Sequence, residues 1–593
     1  DRVVLWLSVL FCCVVSAVLP VVAQETGSVV LPSAADLKLI VEQRDILRSK
    51  IAILHEKPEL RSRDGQALLA DVAVFEKAAS WMLRFKEFPK TDYVDQLREV
   101  VRKGLARADA LQGGTADWTQ QSRTAVHGYV STVDGSLQPY AITLPEGVDP
   151  KVSKRWPLHV VLHGRADQMN EVNFIHRMDG KPLPGKDGLP PQDWIQLDVY
   201  GRGNNAYRWA GETDVFEAMA DVKRRYRIDE DRIMLHGFSM GGAGAWHLGM
   251  HHPSIWSSVG PGAGFVDYYR YQKKDPDNGD QRLSEPQHTT LGIYDSIDYA
   301  LNAFNVPVCC YGGENDPQLL AGASMTEAAN QLGVPIKLIV GPKMGHAFDA
   351  DSRKQFMEFH LEQSARGKPR FGERKRVRFT TRSLRYNSCD WITIEEVDSV
   401  YAPSTINADV NDAGDVEITT ENVTAFRLVR DVGTNAIIDG VVLECRVAAD
   451  GLLPDVYFVR TDSTWDVLDY DESREFSDNP GRHKRHGLQG PIDDAFMSSF
   501  VCVRGTGKAW NVTSQQWADW TLARFSAEFA QWMRGDIRVV DDSAVDENLL
   551  SENHLILFGD PGSNAVLKKI VGELPLKWTK DRIQIGRQEW KSA

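Results

Sequence analysis

The chain has 593 residues, of which 42% are hydrophobic and 25% are charged, as is typical of globular proteins. This length exceeds what one hydrophobic core usually supports, so we expect several domains. The formal net charge of −14 argues against a nucleic-acid-binding protein, which would usually present a basic face.

Residues 1–23 predict an export signal. They are apolar from Val3 onward and end in small residues at Ala23, just before a polar segment, which is the form of a signal-peptide cleavage site. About 20 apolar residues could also anchor a chain in a membrane, but Pro20 and the cleavage-like end favour removal. We therefore expect a secreted or periplasmic protein with no stable membrane span after the signal is removed.

Residues 33–112 predict a helical domain. Ser33 has the form of a helix cap, with Asp36 three residues later. Apolar residues then recur at helical spacing in three stretches, which predicts three amphipathic helices. The recurring residues are Leu37, Ile40, Leu47, Ile51 and Leu54, then Leu68, Val72, Phe75, Ala79 and Met82, then Val94, Leu97, Val101, Leu105 and Leu111.

Strands that alternate with helices over residues 125–366 predict an α/β domain. A hairpin at 126–144 turns at Asp134-Gly135. The alternation that follows indicates a mostly parallel sheet with right-handed crossovers. The strands expected after the hairpin are 158–162, 194–200, 232–235, 306–311 and 336–340, and the expected helices are 212–226 and 352–364.

The segment Gly237-Phe-Ser-Met-Gly241 fits a nucleophile elbow, in which a strand turns sharply into a helix and presents one serine, here Ser239. A nucleophilic serine needs a base and an orienting acid. His346 and Asp316 follow two later strands, at the edge where open α/β sheets gather their sites. Glu314 is the alternative acid, because it lies in the same loop as Asp316.

In this order, Ser239, Asp316 and His346 resemble the catalytic triad of the prolyl oligopeptidase family and of related esterases, including feruloyl-esterase-like and dienelactone-hydrolase-like enzymes. The resemblance covers about residues 125–364 and implies an α/β-hydrolase fold. The strand 158–162 ends in His163-Gly-Arg165, which looks like the family's oxyanion loop. By that likeness, the backbone N–H groups of Arg165 and Met240 would hold the oxyanion.

Two loops of the predicted hydrolase domain are candidates for substrate binding. The loop 201–211 contains Arg202, Tyr207 and Trp209, a mixture suited to a polar substrate that carries a ring. The tyrosine-rich segment 265–290 could form a lid. Ordinary loop packing is the alternative for both.

The sequence favours a serine hydrolase that needs no metal or organic cofactor. No repeat of propeller length precedes the hydrolase segment, whereas peptidases of the resembled family usually carry a propeller. We therefore expect a small-molecule or polymer-linked ester substrate, with a prolyl-oligopeptidase-like peptidase as the alternative. A binding or scaffold protein with a degenerate hydrolase domain is an alternative of another class.

Two accessory modules are expected after the hydrolase. Residues 377–470 are rich in β-type runs and predict a small β-sandwich-like module, which could bind a polymer or brace the enzyme. Residues 490–586 predict a small α/β module whose glycine loop, 559–564, could hold an anion or simply pack. Beyond Cys12 and Cys13 in the predicted signal, five scattered cysteines have no metal-ligand spacing, and one bridge remains possible among them.

Overall fold

The computed structural model describes residues 31–119, 123–146, 154–166, 168–182, 191–274, 280, 282–429, 431–445, 455–462, 464–478 and 484–591. The predicted signal at 1–23 lies outside these residues. Across the part of the chain that is described, no helix has the length and apolar character needed to span a membrane.

Three helices begin the described chain, and the predicted cap is present because Ser33 Oγ accepts a hydrogen bond from Asp36 N (3.1 Å). The apolar faces of these helices share one core with Val126 and Ala141 of the main sheet. A side chain at Gly128 would overlap the backbone of Ala70, so helix and strand approach closely there. The three helices are α1 Ala34–His55, α2 Arg63–Phe85 and α3 Asp92–Gln112.

The main sheet has eight strands in the order β1-β2-β4-β3-β5-β6-β7-β8. Strand β2 is antiparallel to β1 and β4, and all other neighbours are parallel. This mostly parallel sheet confirms the predicted fold class. Its strands are β1 Ala125–Val130, β2 Leu137–Thr143, β3 Trp156–Leu162, β4 Ile195–Val199, β5 Ile228–Phe238, β6 Ser258–Gly262, β7 Cys309–Gly313 and β8 Lys337–Gly341.

Helices cover both faces of this sheet. Successive strand residues point to opposite faces and therefore enter different cores. In β7, Cys310 joins one core, whereas Cys309 and Tyr311 join another with Phe356. The covering helices are α4 Glu171–Met178, α5 Ala210–Arg225, α6 Met240–His251, α7 Tyr268–Tyr271, α8 Glu285–Leu291, a 3₁₀ helix Ser296–Asn305, α9 Leu319–Gln331 and α10 Ala350–Arg366.

The predicted β-rich module consists of two five-stranded sheets, in the orders β10-β11-β14-β17-β18 and β16-β15-β13-β12-β9. Phe379, Ile394 and Phe426 lie in the core that both sheets contribute to. The strands are β9 Arg376–Thr381, β10 Ser388–Cys389, β11 Ile392–Val397, β12 Ser404–Val410, β13 Val416–Glu421, β14 Val423–Val429, β15 Asn435–Ile438, β16 Val441–Glu444, β17 Asp455–Thr461 and β18 Thr464–Val467.

Hydrogen bonds join this module directly to the domain that contains the main sheet. Asn302 Nδ2 donates to Thr380 O (2.9 Å), and Thr380 N donates back to Asn302 Oδ1 (2.8 Å). Asn305 Nδ2 donates to Arg378 O (2.6 Å) in the same strand, β9. These bonds attach β9 of the module to the 3₁₀ helix Ser296–Asn305.

The C-terminal module contains a parallel sheet in the order β20-β19-β21 and a small antiparallel sheet, β22-β23-β24, that the sequence did not predict. The strands are β19 Phe500–Arg504, β20 Val539–Asp541, β21 His554–Phe558, β22 Leu576–Trp578, β23 Arg582–Ile585 and β24 Gln588–Lys591. The helices are α11 Tyr470–Asp478, which precedes the module, α12 Val512–Trp532, α13 Glu547–Glu552 and α14 Ala565–Ile570.

In the glycine loop 559–564, the backbone N–H groups bind a carboxylate of the loop itself, that of Asp560. The Asp560 carboxylate accepts hydrogen bonds from the backbone N–H groups of Trp510 (2.8 Å), Gly562 (2.8 Å) and Ser563 (2.9 Å). This arrangement favours the packing role over phosphate binding. The five cysteines among the described residues are free thiols: Cys309, Cys310, Cys389, Cys445 and Cys502.

Candidate active site

Ser239 lies at a sharp turn between β5 and α6. Its φ of 60° and ψ of −120° are a conformation that non-glycine residues rarely adopt. A side chain at Gly237 would overlap the backbone of Gly241, and one at Gly241 would overlap the backbone of Leu162. The glycines of the motif therefore allow the chain to turn within a space that admits no side chain.

Asp316 and His346 meet at the same edge of the sheet. Asp316 follows β7 and is 6% exposed, and its Oδ2 lies 2.7 Å from Nδ1 of His346, which follows β8. Two backbone hydrogen bonds hold their loops together, from Glu314 N to Gly341 O (2.9 Å) and from Asn315 N to Met344 O (2.8 Å). The structure thus brings together two of the three predicted triad residues in direct contact.

His346 also lies next to the elbow. Its ring centroid is 4.9 Å from that of Phe238, the residue that precedes Ser239. The imidazole is partly exposed, with 41% of the side chain accessible. The histidine can therefore be reached by a substrate that approaches the serine.

The alternative acid, Glu314, is turned away from the histidine. Its side chain is exposed, and its Oε2 accepts a hydrogen bond from Lys343 N (2.6 Å). The geometry favours Asp316 as the carboxylate that orients His346.

The predicted oxyanion loop lies against the serine. A Cβ atom at Gly164 would be 3.4 Å from Ser239 Cβ, so no bulk separates the two segments. Met240 is the first residue of α6, where backbone N–H groups have no partner within the helix. His163 fixes the loop, since its Nε2 is 2.8 Å from Tyr200 O. Burial lowers the pKa of His163, which keeps that ring neutral.

Arg202 does not occupy the substrate-binding position that the sequence suggested. It is 1% exposed, and Nη1 donates to Asp134 Oδ2 (2.7 Å) and to Met533 O (2.9 Å). Nη2 donates to Ser131 Oγ (2.7 Å). Because its guanidinium is buried and occupied by these partners, Arg202 holds the loop in place instead of contacting a substrate.

Tyr207 is likewise a support residue. It is fully buried, its hydroxyl donates to His163 O (3.3 Å), and its ring fills the space beside Gly201 and Gly244. Trp209, the third predicted binding residue, is half-buried and lies with its ring centroid 6.3 Å from that of Tyr294. Of the three predicted binding residues, only Trp209 is partly exposed to solvent.

Sequence reasoning missed Arg208, which lies between two of the residues it selected. The Arg208 guanidinium is 5.8 Å from the ring centroid of Phe265 and 5.7 Å from that of Tyr294. Gly264, beside Phe265, packs against the first turn of α6 at Ala243. The cation and its rings therefore lie near the elbow. The polar and aromatic composition of loop 201–211 indicated a binding site. It could not show which of its arginines, Arg202 or Arg208, is buried in an ion pair and which lies against aromatic rings.

Asp493 reaches the same region from a segment far along the chain. Its carboxylate accepts a hydrogen bond from the hydroxyl of Tyr294. Burial raises the pKa of Asp493 to about 7. No local sequence signal could have linked this residue to the site, since 199 positions separate it from Tyr294.

Within the described ranges, no group of three or more His, Cys, Asp or Glu side chains is arranged to hold a metal ion.

Part of this chain is similar to known proteins. Residues 200–364 match the model of the prolyl oligopeptidase family. A carboxymethylenebutenolidase-like protein of Salmonella typhimurium (strain LT2) is 29% identical over 133 residues, which are 22% of this chain and 42% of that protein. The chain thus spans less than half the length of this curated relative.

Solved structures with related segments include a ferulic acid esterase, at 19% identity over 41% of this chain and 97% of the other, with a TM-score of 0.31. A fluorophosphonate-binding serine hydrolase of Staphylococcus aureus is 14% identical over 41% of this chain and 98% of the other, with a TM-score of 0.30. The segment that contains Ser239, Asp316 and His346 resembles the prolyl oligopeptidase family, within the α/β-hydrolase superfamily.

Proposed function

We propose that this protein is a serine hydrolase that cleaves a carboxylic ester or a peptide bond through an acyl-enzyme. The observation that carries the proposal is the 2.7 Å contact between Asp316 and His346, beside an elbow that presents Ser239. The family match over residues 200–364 supports the same reaction class.

Each group has a definite step in the proposed reaction. Because Asp316 holds Nδ1 of His346, the other ring nitrogen, Nε2, is left to take the proton from Ser239 Oγ as that oxygen attacks the substrate carbonyl. The backbone N–H groups of Met240 and Arg165 would stabilise the oxyanion. His346 then gives the proton to the leaving group, and water attacks the acyl-enzyme with the same base and acid assistance.

We propose an ester as the preferred substrate and a peptide as the second candidate. The ester hypothesis is supported by the three helices α1 to α3, which share a core with the start of the main sheet, where peptidases of the resembled family usually carry a propeller that screens peptides. The hypothesis of a peptide substrate is supported by the match to the prolyl oligopeptidase family. Export, through the sequence of residues 1–23, would suit the hydrolysis of acyl groups on external small molecules or polymers.

Covalent labelling tests the nucleophile. A fluorophosphonate probe should label the wild-type protein at Ser239, and Ser239→Ala should give no labelled peptide, because the probe reacts with an activated serine. Ser254→Ala, beyond the far end of α6, is the matched control and should label like the wild type. Equal labelling of Ser239→Ala would assign the nucleophile to another serine, and an unlabelled wild type would favour the scaffold alternative.

The ratio of ester to amide turnover tests the substrate class. We expect kcat/KM for esters of bulky or sugar-linked acids to exceed that for matched amides after each is divided by its uncatalysed rate. This correction removes the intrinsic advantage of the better leaving group. Background rates come from Ser239→Ala. A higher corrected value for proline amides would show that the protein is a peptidase.

A further inference from the structure

The C-terminal end of α12 enters the hydrolase domain. Arg534 follows this helix with a φ of 60° and is 4% exposed, although it belongs to the C-terminal module. Its backbone carbonyl accepts a hydrogen bond from Gln138 Nε2 (3.0 Å). The carbonyl of Met533 accepts one from Arg202 Nη1 (2.9 Å). The main chain of residues 533 and 534 is therefore hydrogen-bonded to the hydrolase domain.

The Arg534 guanidinium binds two buried carboxylates from different segments. It donates to Glu87 Oε1 (2.6 Å) and Oε2 (3.1 Å), and to Glu171 Oε2 through Nη2 (2.6 Å) and Nε (3.1 Å). Lys77 forms a further ion pair with Glu171. Two cations thus balance two carboxylates, and a planar guanidinium suits this double bidentate geometry in a way that an ammonium does not.

One path leads from Arg534 to the predicted oxyanion loop through the chain itself. Glu171 is the first residue of α4 and is fully buried. Gly164 and Arg165 of the predicted oxyanion loop precede Glu171 by seven and six positions in the chain. The carboxylate clamped by Arg534 therefore fixes the start of α4, a few positions after the residues that face Ser239.

A second path starts at Met533, the neighbour of Arg534, and combines side-chain hydrogen bonds with the short main-chain stretch from Arg202 to Asn204. Met533 O accepts from Arg202, two residues before Asn204. Asn204 Nδ2 donates to Ala166 O (2.7 Å), and Ala166 N donates to Asn204 Oδ1 (3.4 Å). Ala166 is the neighbour of Arg165, so both paths converge on the residue predicted to supply an oxyanion N–H group.

We propose that Arg534 is a positioning residue for the oxyanion loop, so that the C-terminal module is a working part of the catalytic unit. The inference rests on the proposed serine hydrolase function. Arg534 touches no reacting atom and acts through Glu171 and the loop before it. Since a displacement of about 1 Å in a positioned group can cost roughly 100-fold in rate, loss of the clamp should affect catalysis more than substrate binding.

A charge-balanced variant separates positioning from mere stability. Arg534→Met alone leaves an unpaired buried carboxylate and should destabilise the fold. In Arg534→Met combined with Glu87→Gln, Lys77 and Glu171 remain as a balanced pair, so Tm should recover while Glu171 stays unclamped. Arg534→Lys keeps the charge without the fork and is a second folded variant.

The measurement is kcat and KM for p-nitrophenyl acetate, with Tm for each variant. We expect the double variant to lose about 10- to 100-fold in kcat with KM changed less than about threefold, and Arg534→Lys to lose about tenfold in kcat. Arg84→Ala is the control, because it removes an exposed ion pair to Asp536 at the same interface (2.8 Å). Its kcat should equal that of the wild type.

The outcomes distinguish the inference from the function on which it rests. If the double variant and Arg534→Lys both keep the wild-type kcat, the clamp is structural only and the inference is wrong, while the hydrolase proposal stands. A wild-type protein that neither turns over the ester nor labels at Ser239 would overturn both.

Discussion

Replacing His346 with alanine is expected to lower kcat by about 10⁶-fold, the scale on which serine hydrolases lose activity without their base. The reason is that His346 is the basic side chain that the structure places beside the elbow, 4.9 Å from Phe238 between ring centroids. Steady-state turnover of an activated ester measures the loss. His55→Ala, an exposed histidine at the end of α1, is the matched control and should keep full activity.

The effect should also be non-additive. Ser239 and His346 act as one unit in the proposed mechanism, so the Ser239→Ala and His346→Ala double variant should be no slower than either single variant. A loss of less than tenfold in His346→Ala would show that another group takes the serine proton.

Asp316→Asn is expected to lower kcat by about 10⁴-fold, as loss of the orienting carboxylate does in the serine-protease template. An asparagine amide can donate to Nδ1 of His346, which favours the tautomer that leaves no base at the serine. Glu314→Gln is the matched control in the same loop and should change kcat by less than about threefold, because Glu314 bonds to Lys343 N instead. A larger loss in Glu314→Gln than in Asp316→Asn would transfer the acid role to Glu314.

Local patterns predicted those parts of the site that depend on local geometry. The glycines of the elbow exclude side chains from a tight turn, so their spacing alone indicates the strand, the turn and the helix around Ser239. Asp316 and His346 could be placed because both follow strands in a parallel sheet, whose ends meet at one edge.

The role of Arg202 could not be predicted in this way. Its partners Asp134 and Met533 are 68 and 331 positions distant in the chain. A loop rich in polar and aromatic residues is equally compatible with open binding and with buried packing. Only the contacts made in the folded structure decide between binding and packing, and they bury Arg202 and Tyr207 in the protein interior.

Strand β6 was missed for a different reason. Its sequence, Ser-Val-Gly-Pro-Gly, has low strand propensity, since glycine and proline weaken or interrupt strands. Tertiary packing requires these residues here, because a side chain at Gly262 would press on Phe238 and one at Gly242 of α6 would overlap the backbone of Gly262. Close approach of helix and strand overrides propensity at the position next to the elbow.

The backbone of Ser239 also constrains how this protein could evolve. A residue held at φ 60° and ψ −120° carries strain on the order of 1 to 3 kcal/mol, which glycine would largely avoid. Selection for thermal resistance alone would therefore replace the serine with glycine and discard the nucleophile. Libraries screened by survival of heating will be enriched in inactive proteins at this position, and its serine persists only where turnover is selected as well.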